Sequence, residues 1–92
     1  MEIASFNDER SLPCTHSVRN DSAREVQLIW VNFEGAEQLY NVVHADSSVD
    51  QETFSTHTWL LKDADGRLLI WYSGPAATLT VLSEGVSVAG KR

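Results

Sequence analysis

From Cys14 onward the chain is cut into short apolar runs by clusters of Asn, Asp, Ser and Gly, and this punctuation limits the fold more than any other feature. The runs fall at about 15–20, 26–33, 38–43, 50–56, 57–62, 67–72 and 77–83, and they are rich in Val, Ile, Leu, Thr, Trp and Tyr. Each is long enough for a strand and too short for a stable helix. No longer window carries a sustained i, i+3, i+4, i+7 apolar pattern. In 26–33, Val26, Leu28, Trp30 and Asn32 share one face, and Gln27, Ile29, Val31 and Phe33 share the other. Both faces are largely apolar, which predicts a central strand covered on both sides at one end. Arg19–Ser22, Glu34–Gly35, Ala64–Gly66 and Ser73–Pro75 carry turn chemistry, with Gly66 where a hairpin needs positive φ. The expectation is an all-β fold, a small antiparallel β-sandwich of seven to eight strands. Residues 1–13 are polar and read as an N-terminal arm, ordered where it docks, ahead of a domain over 14–92.

The chain has 92 residues, which allows one domain with one modest core. Its net charge of −6 disfavours nucleic acid and anionic membrane as partners, because both are bound mainly through Lys and Arg. The single cysteine, Cys14, excludes an intrachain disulfide. The first residues lack the basic and apolar stretches of a secretory leader, so an intracellular, cytoplasmic location is the expectation.

Little in the pattern suggests catalysis or metal. His16, His44 and His57 are not spaced as paired ligands, so no metal and no cofactor is expected. Asp63–Gly66 resembles the opening of a calcium loop but lacks the remaining ligands, and a type I or I′ turn is the simpler reading. Thr53, Ser55, Thr56 and His57 offer hydroxyls beside a base, without the glycine elbow or helix N-terminus that would hold an oxyanion. The informative cluster is aromatic: Trp30, Tyr40, His57 and Trp59 lie on or beside three predicted strands. His57 and Trp59 are two apart and are expected on one strand face. Such a cluster is either sandwich core or a cup for a ring-shaped ligand bearing one polar group.

Leu28–Gly35 (Leu-Ile-Trp-Val-Asn-Phe-Glu-Gly), then Gln38-Leu39-Tyr40, then His57–Asp63 (His-Thr-Trp-Leu-Leu-Lys-Asp) resemble the β-domain of the von Hippel–Lindau tumour suppressor family. The shared pattern is Trp-x-Asn-Phe-(Asp/Glu)-Gly, a tyrosine five residues after that glycine, and a downstream His-x-Trp-Leu. It runs without a gap from Asn20 to Trp59. The resemblance implies a β-sandwich with a pocket for 4-hydroxyproline in an extended peptide, which in the family is the oxygen-degradation segment of hypoxia-inducible factor α. Carried over, Trp30 is the floor, Tyr40 and Trp59 are walls, and His57 bonds the hydroxyl together with Thr53, which stands where the family has a serine. The rim departs from the family. Glu52 replaces a histidine, Phe54 a tyrosine and Val49 a basic residue.

The resemblance therefore implies a non-catalytic module for a hydroxyproline-containing peptide or protein. The alternative is a structural or protein-interaction sandwich whose aromatic cluster is core. The family protein continues into a helical domain that docks elongin and recruits a cullin ligase. No amphipathic helix is read here, so no elongin or cullin binding is expected from this chain.

Overall fold

A computed structural model describes residues 4–75 and 77–90. Among them are eight strands: β1 (Pro13–Asn20), β2 (Val26–Val31), β3 (Glu37–Val43), β4 (Ser47–Phe54), β5 (Thr58–Asp63), β6 (Leu68–Ser73), β7 (Ala77–Leu82) and β8 (Gly85–Gly90). They form two four-stranded sheets of order β4-β1-β7-β8 and β3-β2-β5-β6. Seven of the eight strands correspond to the apolar runs. The eighth, Gly-Val-Ser-Val-Ala-Gly, carries few large apolar residues and pairs with β7 across a turn at Ser83 and Glu84. All pairings are antiparallel except β1 with β7, which is parallel. Those two strands are too distant in sequence for a hairpin to set their direction.

The inner faces of both sheets meet in a core of Val18, Val26, Leu28, Val43, Trp59, Leu61, Tyr72, Leu79 and Val81. As its two apolar faces predict, β2 is a central strand. Val26, Leu28 and Trp30 point to the core, while Ile29 and Val31 join Leu60 in a second buried cluster on the opposite face. The alternation in β2 ends at Val31, two residues before the expected boundary, because Asn32 folds the chain into a turn. Asn32 Oδ1 accepts from the Glu34 and Ala36 amides at 3.0 and 2.8 Å, and Gly35 takes φ 84°.

Two other turns are held by side chains in the same way. Asn20 is fully buried. Its amide donates to the Arg24 and Val43 carbonyls at 2.6 and 2.9 Å, and its Oδ1 accepts from the Ser22 amide and hydroxyl. Asp63 Oδ1 accepts from the Asp65 and Arg67 amides at 2.9 Å each, and Gly66 takes φ 85°. The Arg67 amide in particular holds the Asp63 carboxyl below its ordinary range. The calcium-loop resemblance is thus a hairpin turn whose first aspartate is already occupied by backbone donors.

The arm is strapped across one end of the second sheet. Ser5 is buried, donates to the Val31 carbonyl and accepts from the Thr58 amide at 2.8 Å, so it stitches the end of β2 to the start of β5. Further along, the Ser55 amide donates to the Leu12 carbonyl at 2.9 Å, and Ser11 and Thr56 share a hydroxyl bond of 2.6 Å. The first strand begins at Pro13, within the stretch expected to be arm.

Candidate functional site

Trp30 and Trp59 stand directly opposite each other on β2 and β5, on the inner face near its open end. Tyr40 reaches them through an irregularity in β3. Leu28 pairs with Asn41 and Ile29 with Leu39, so Tyr40 is the extra residue of a bulge. Its ring packs edge-on to Trp30 at 5.8 Å and to Trp59 at 5.2 Å between centroids. It remains 52% exposed, whereas Trp59 is 2% exposed.

His57 reaches the same place by a different route from the one expected. It does not share a strand face with Trp59, because β5 begins at Thr58 and β4 ends at Phe54. The residue closes the intervening turn, its amide donating to the Phe54 carbonyl at 2.9 Å. Three aromatic rings then fix the imidazole: Trp30 at 5.6 Å, Phe33 at 5.7 Å and Phe54 at 5.3 Å between centroids. This burial holds the His57 pKa below its ordinary value of 6.5, so the ring is neutral at pH 7.

Trp30, Phe33, Tyr40, Glu52, Thr53, Phe54, His57 and Trp59 together line a cavity of about 220 Å³. Its volume lies below the roughly 300–1,000 Å³ of pockets for drug-sized ligands, which suits one ring or side chain rather than a cofactor. All five residues singled out in the sequence line it. Of the three rim departures, Glu52 and Phe54 line it too, while Val49 packs against the core and does not. A second cavity, of about 440 Å³, lies along Pro13, Cys14, Thr15, Glu52, Thr53 and Phe54, and it shares the last three residues with the first.

The polar atoms of the cup have a definite hydrogen-bond direction. Trp59 Nε1 donates to Thr53 Oγ1 at 2.9 Å, and Thr53 is 7% exposed. Thr53 thereby spends an acceptor site and keeps its own hydroxyl hydrogen, which has no acceptor among the described residues. His57 Nε2 lies 2.8 Å from Asn7 Oδ1. With Asn7 Oδ1 on that side, the contact is a hydrogen bond only in the tautomer that carries its hydrogen on Nε2, which leaves Nδ1 the lone pair. The sealed polar atoms without partners among the described residues are His16 Nδ1, Trp30 Nε1 and Tyr72 Oη.

The remaining hydroxyls and histidines weighed in the sequence are engaged elsewhere. Ser55 Oγ donates to the Arg10 carbonyl and Thr56 to Phe6, so both hydroxyls hold the arm and neither bonds His57. His16 is fully buried, its Nε2 facing the Gly74 and Pro75 carbonyls at 3.1 Å each, and exposed His44 pairs with Glu25. Burial pushes the Cys14 thiol up, away from the reactive thiolate. Among the described residues no three of His, Cys, Asp and Glu come together as a metal site would need, and no helix is long and apolar enough to cross a membrane.

Phe33 and Asn7 were missed from sequence. Alternation puts Phe33 on the face opposite Trp30, and only the Asn32 turn brings its ring back to 5.3 Å from Trp30. Asn7 lies in a polar arm with no periodicity to mark it.

The chain matches the VHL beta domain family model over residues 3–71. It belongs to that family. VHL beta domains are substrate-recognition modules that act through protein–protein contact, and the family is not one of catalysts. No curated protein matches the chain. The match begins at residue 3, so the arm that carries Ser5 and Asn7 lies inside the VHL beta domain segment, as do Trp30, Tyr40, Thr53, His57 and Trp59.

Proposed function

We propose that this VHL beta domain binds a 4-hydroxyproline residue within an extended peptide and performs no chemistry on it. One observation carries the reading. Two polar groups with unspent capacity, the Thr53 hydroxyl hydrogen and the His57 Nδ1 lone pair, belong to residues lining one small aromatic cavity. Apolar walls hold a pyrrolidine ring through burial, and a buried polar pair penalises a ring that leaves it unpaired. The adjoining cavity beside Cys14 and Thr15 gives an extended segment somewhere to continue. In this reading Trp30 is the floor, Tyr40 and Trp59 are walls, and Thr53 and His57 bond the hydroxyl. Residues 14–92 form the body of the module.

The burial of Trp59 favours a second reading, in which the aromatics are core alone. The half-exposed Tyr40 and the open cavity beside it favour the first. Calorimetric titration with two peptides that differ only in proline or 4-hydroxyproline tests the choice. Leaving the polar pair unsatisfied costs about 1–3 kcal/mol. A preference for hydroxyproline on the order of ten- to a hundredfold is expected. Equal affinities would refute the proposal.

A further inference from the structure

We propose that Asn7 is a positioning residue of the cup: by accepting from His57 Nε2 it fixes the imidazole tautomer, so that the site selects a ligand group that both donates and accepts a hydrogen bond. The inference rests on the hydroxyproline reading for its ligand, but its first link stands on geometry alone. The Asn7 Oδ1 to His57 Nε2 distance is 2.8 Å, and the pair lies in a partly buried setting. The arm has little freedom to withdraw the amide. Ser5, two residues earlier, is buried and bonded to both Val31 and Thr58, while Phe6 and Ser11 are held by Thr56.

The chain of donors then runs one way. Trp59 Nε1–H points at Thr53 Oγ1, which leaves the Thr53 hydrogen to be given to the ligand oxygen. Asn7 takes the Nε2 hydrogen, which leaves His57 Nδ1 to receive one from the ligand. A hydroxyl satisfies both ends. An ether or a fluorine satisfies the Thr53 end only, and an unsubstituted ring satisfies neither. In the opposite tautomer Nδ1 would carry a hydrogen and present a second donor to a ligand oxygen already facing Thr53.

The test has two independent readouts. The first is the ¹⁵N spectrum of the His57 ring in the unliganded protein. Wild type is expected as the single Nε2–H form, Asn7→Ala as a mixture of tautomers, and Asn7→Asp, which keeps the acceptor, as the Nε2–H form at about pH 8. The second is affinity for short peptides carrying proline, 4-hydroxyproline, 4-fluoroproline or 4-methoxyproline at one position. In wild type the fluoro and methoxy peptides, which satisfy only the Thr53 end, are expected to bind more weakly than the hydroxyproline peptide. Asn7→Ala should reduce the hydroxyproline-to-proline ratio on the order of tenfold with little change for proline, and Asn7→Asp should restore it. An unchanged ring tautomer in Asn7→Ala, or a parallel loss of affinity for every peptide, overturns the proposal. So does a methoxyproline peptide that binds as well as the hydroxyproline one. Equal proline and hydroxyproline affinities with the tautomers as expected would overturn the hydroxyproline reading and uphold the control of His57 by Asn7.

Discussion

Thr53 links the site to the core, so Thr53→Val has two separable consequences. The side chain is 7% exposed, and its oxygen is the acceptor for Trp59 Nε1, on a ring that is itself 2% exposed. Valine fills nearly the same volume, so the cavity cost is small. What remains is an indole N–H sealed from water without a partner, at a cost of about 1–3 kcal/mol. For a domain of this size each kcal/mol moves the melting temperature by roughly 4–8 °C. The expected loss is therefore between about 4 and about 24 °C. Thr53→Ser keeps the acceptor and loses one methyl group, about 0.8 kcal/mol if fully buried, so by the same conversion it should lose at most about 3–6 °C. On the binding side, Thr53→Val removes the donor to a ligand hydroxyl and Thr53→Ser preserves it. The hydroxyproline-to-proline affinity ratio should fall on the order of tenfold in the valine variant and hold in the serine variant. Melting is followed by circular dichroism, and affinity by calorimetry at a temperature where both variants are folded. If Thr53→Val matches Thr53→Ser in melting temperature and in affinity ratio, the hydrogen-bond reasoning for both core and cup is refuted.

His57→Ala should lower the preference for hydroxyproline on the order of tenfold, the Thr53 donor remaining, while proline affinity holds. Tyr40→Ala, at a half-exposed wall, should weaken both peptides alike, and titration of both variants distinguishes selectivity from affinity. The His57 pKa is lowered by burial, so the folded protein resists protonating a group that the unfolded chain protonates near 6.5. Stability from this residue is complete above that value and declines as pH falls through it toward the lower folded pKa, and urea midpoints across that interval should show the decline. Hydroxyproline affinity, read by the same pH series, should fall as the folded His57 protonates, because Nδ1 then ceases to accept. At Gly66, φ is 85° and an added Cβ meets nothing within 4 Å, so Gly66→Ala should cost only backbone strain, about 1–2 kcal/mol, measurable as a lower urea midpoint.

Local pattern was enough to show that this chain folds into short strands, where seven of them run, and that Asp63–Gly66 turns the chain, whereas Asn32, which alternation puts on a strand face, gave no sign of the turn it makes. Alternation has a period of two, and turn chemistry acts over about four residues, so both are written in neighbouring positions. The spacing of Trp30, Tyr40 and Trp59 was legible on the same terms, since each lies in a strand. What the sequence alone could not order was contact between segments far apart in the chain. The register that sets Trp30 against Trp59, the bulge that turns Tyr40 inward and the parallel pairing of β1 with β7 arise only when whole strands pair. His57 belongs to a turn, where alternation carries no information about direction, and its orientation comes from Trp30, Phe33 and Phe54. Asn7 shows the limit most plainly. It sits fifty residues from its partner, in a polar arm without periodicity, and only the docking of that arm across the end of the sheet brings its oxygen to the imidazole.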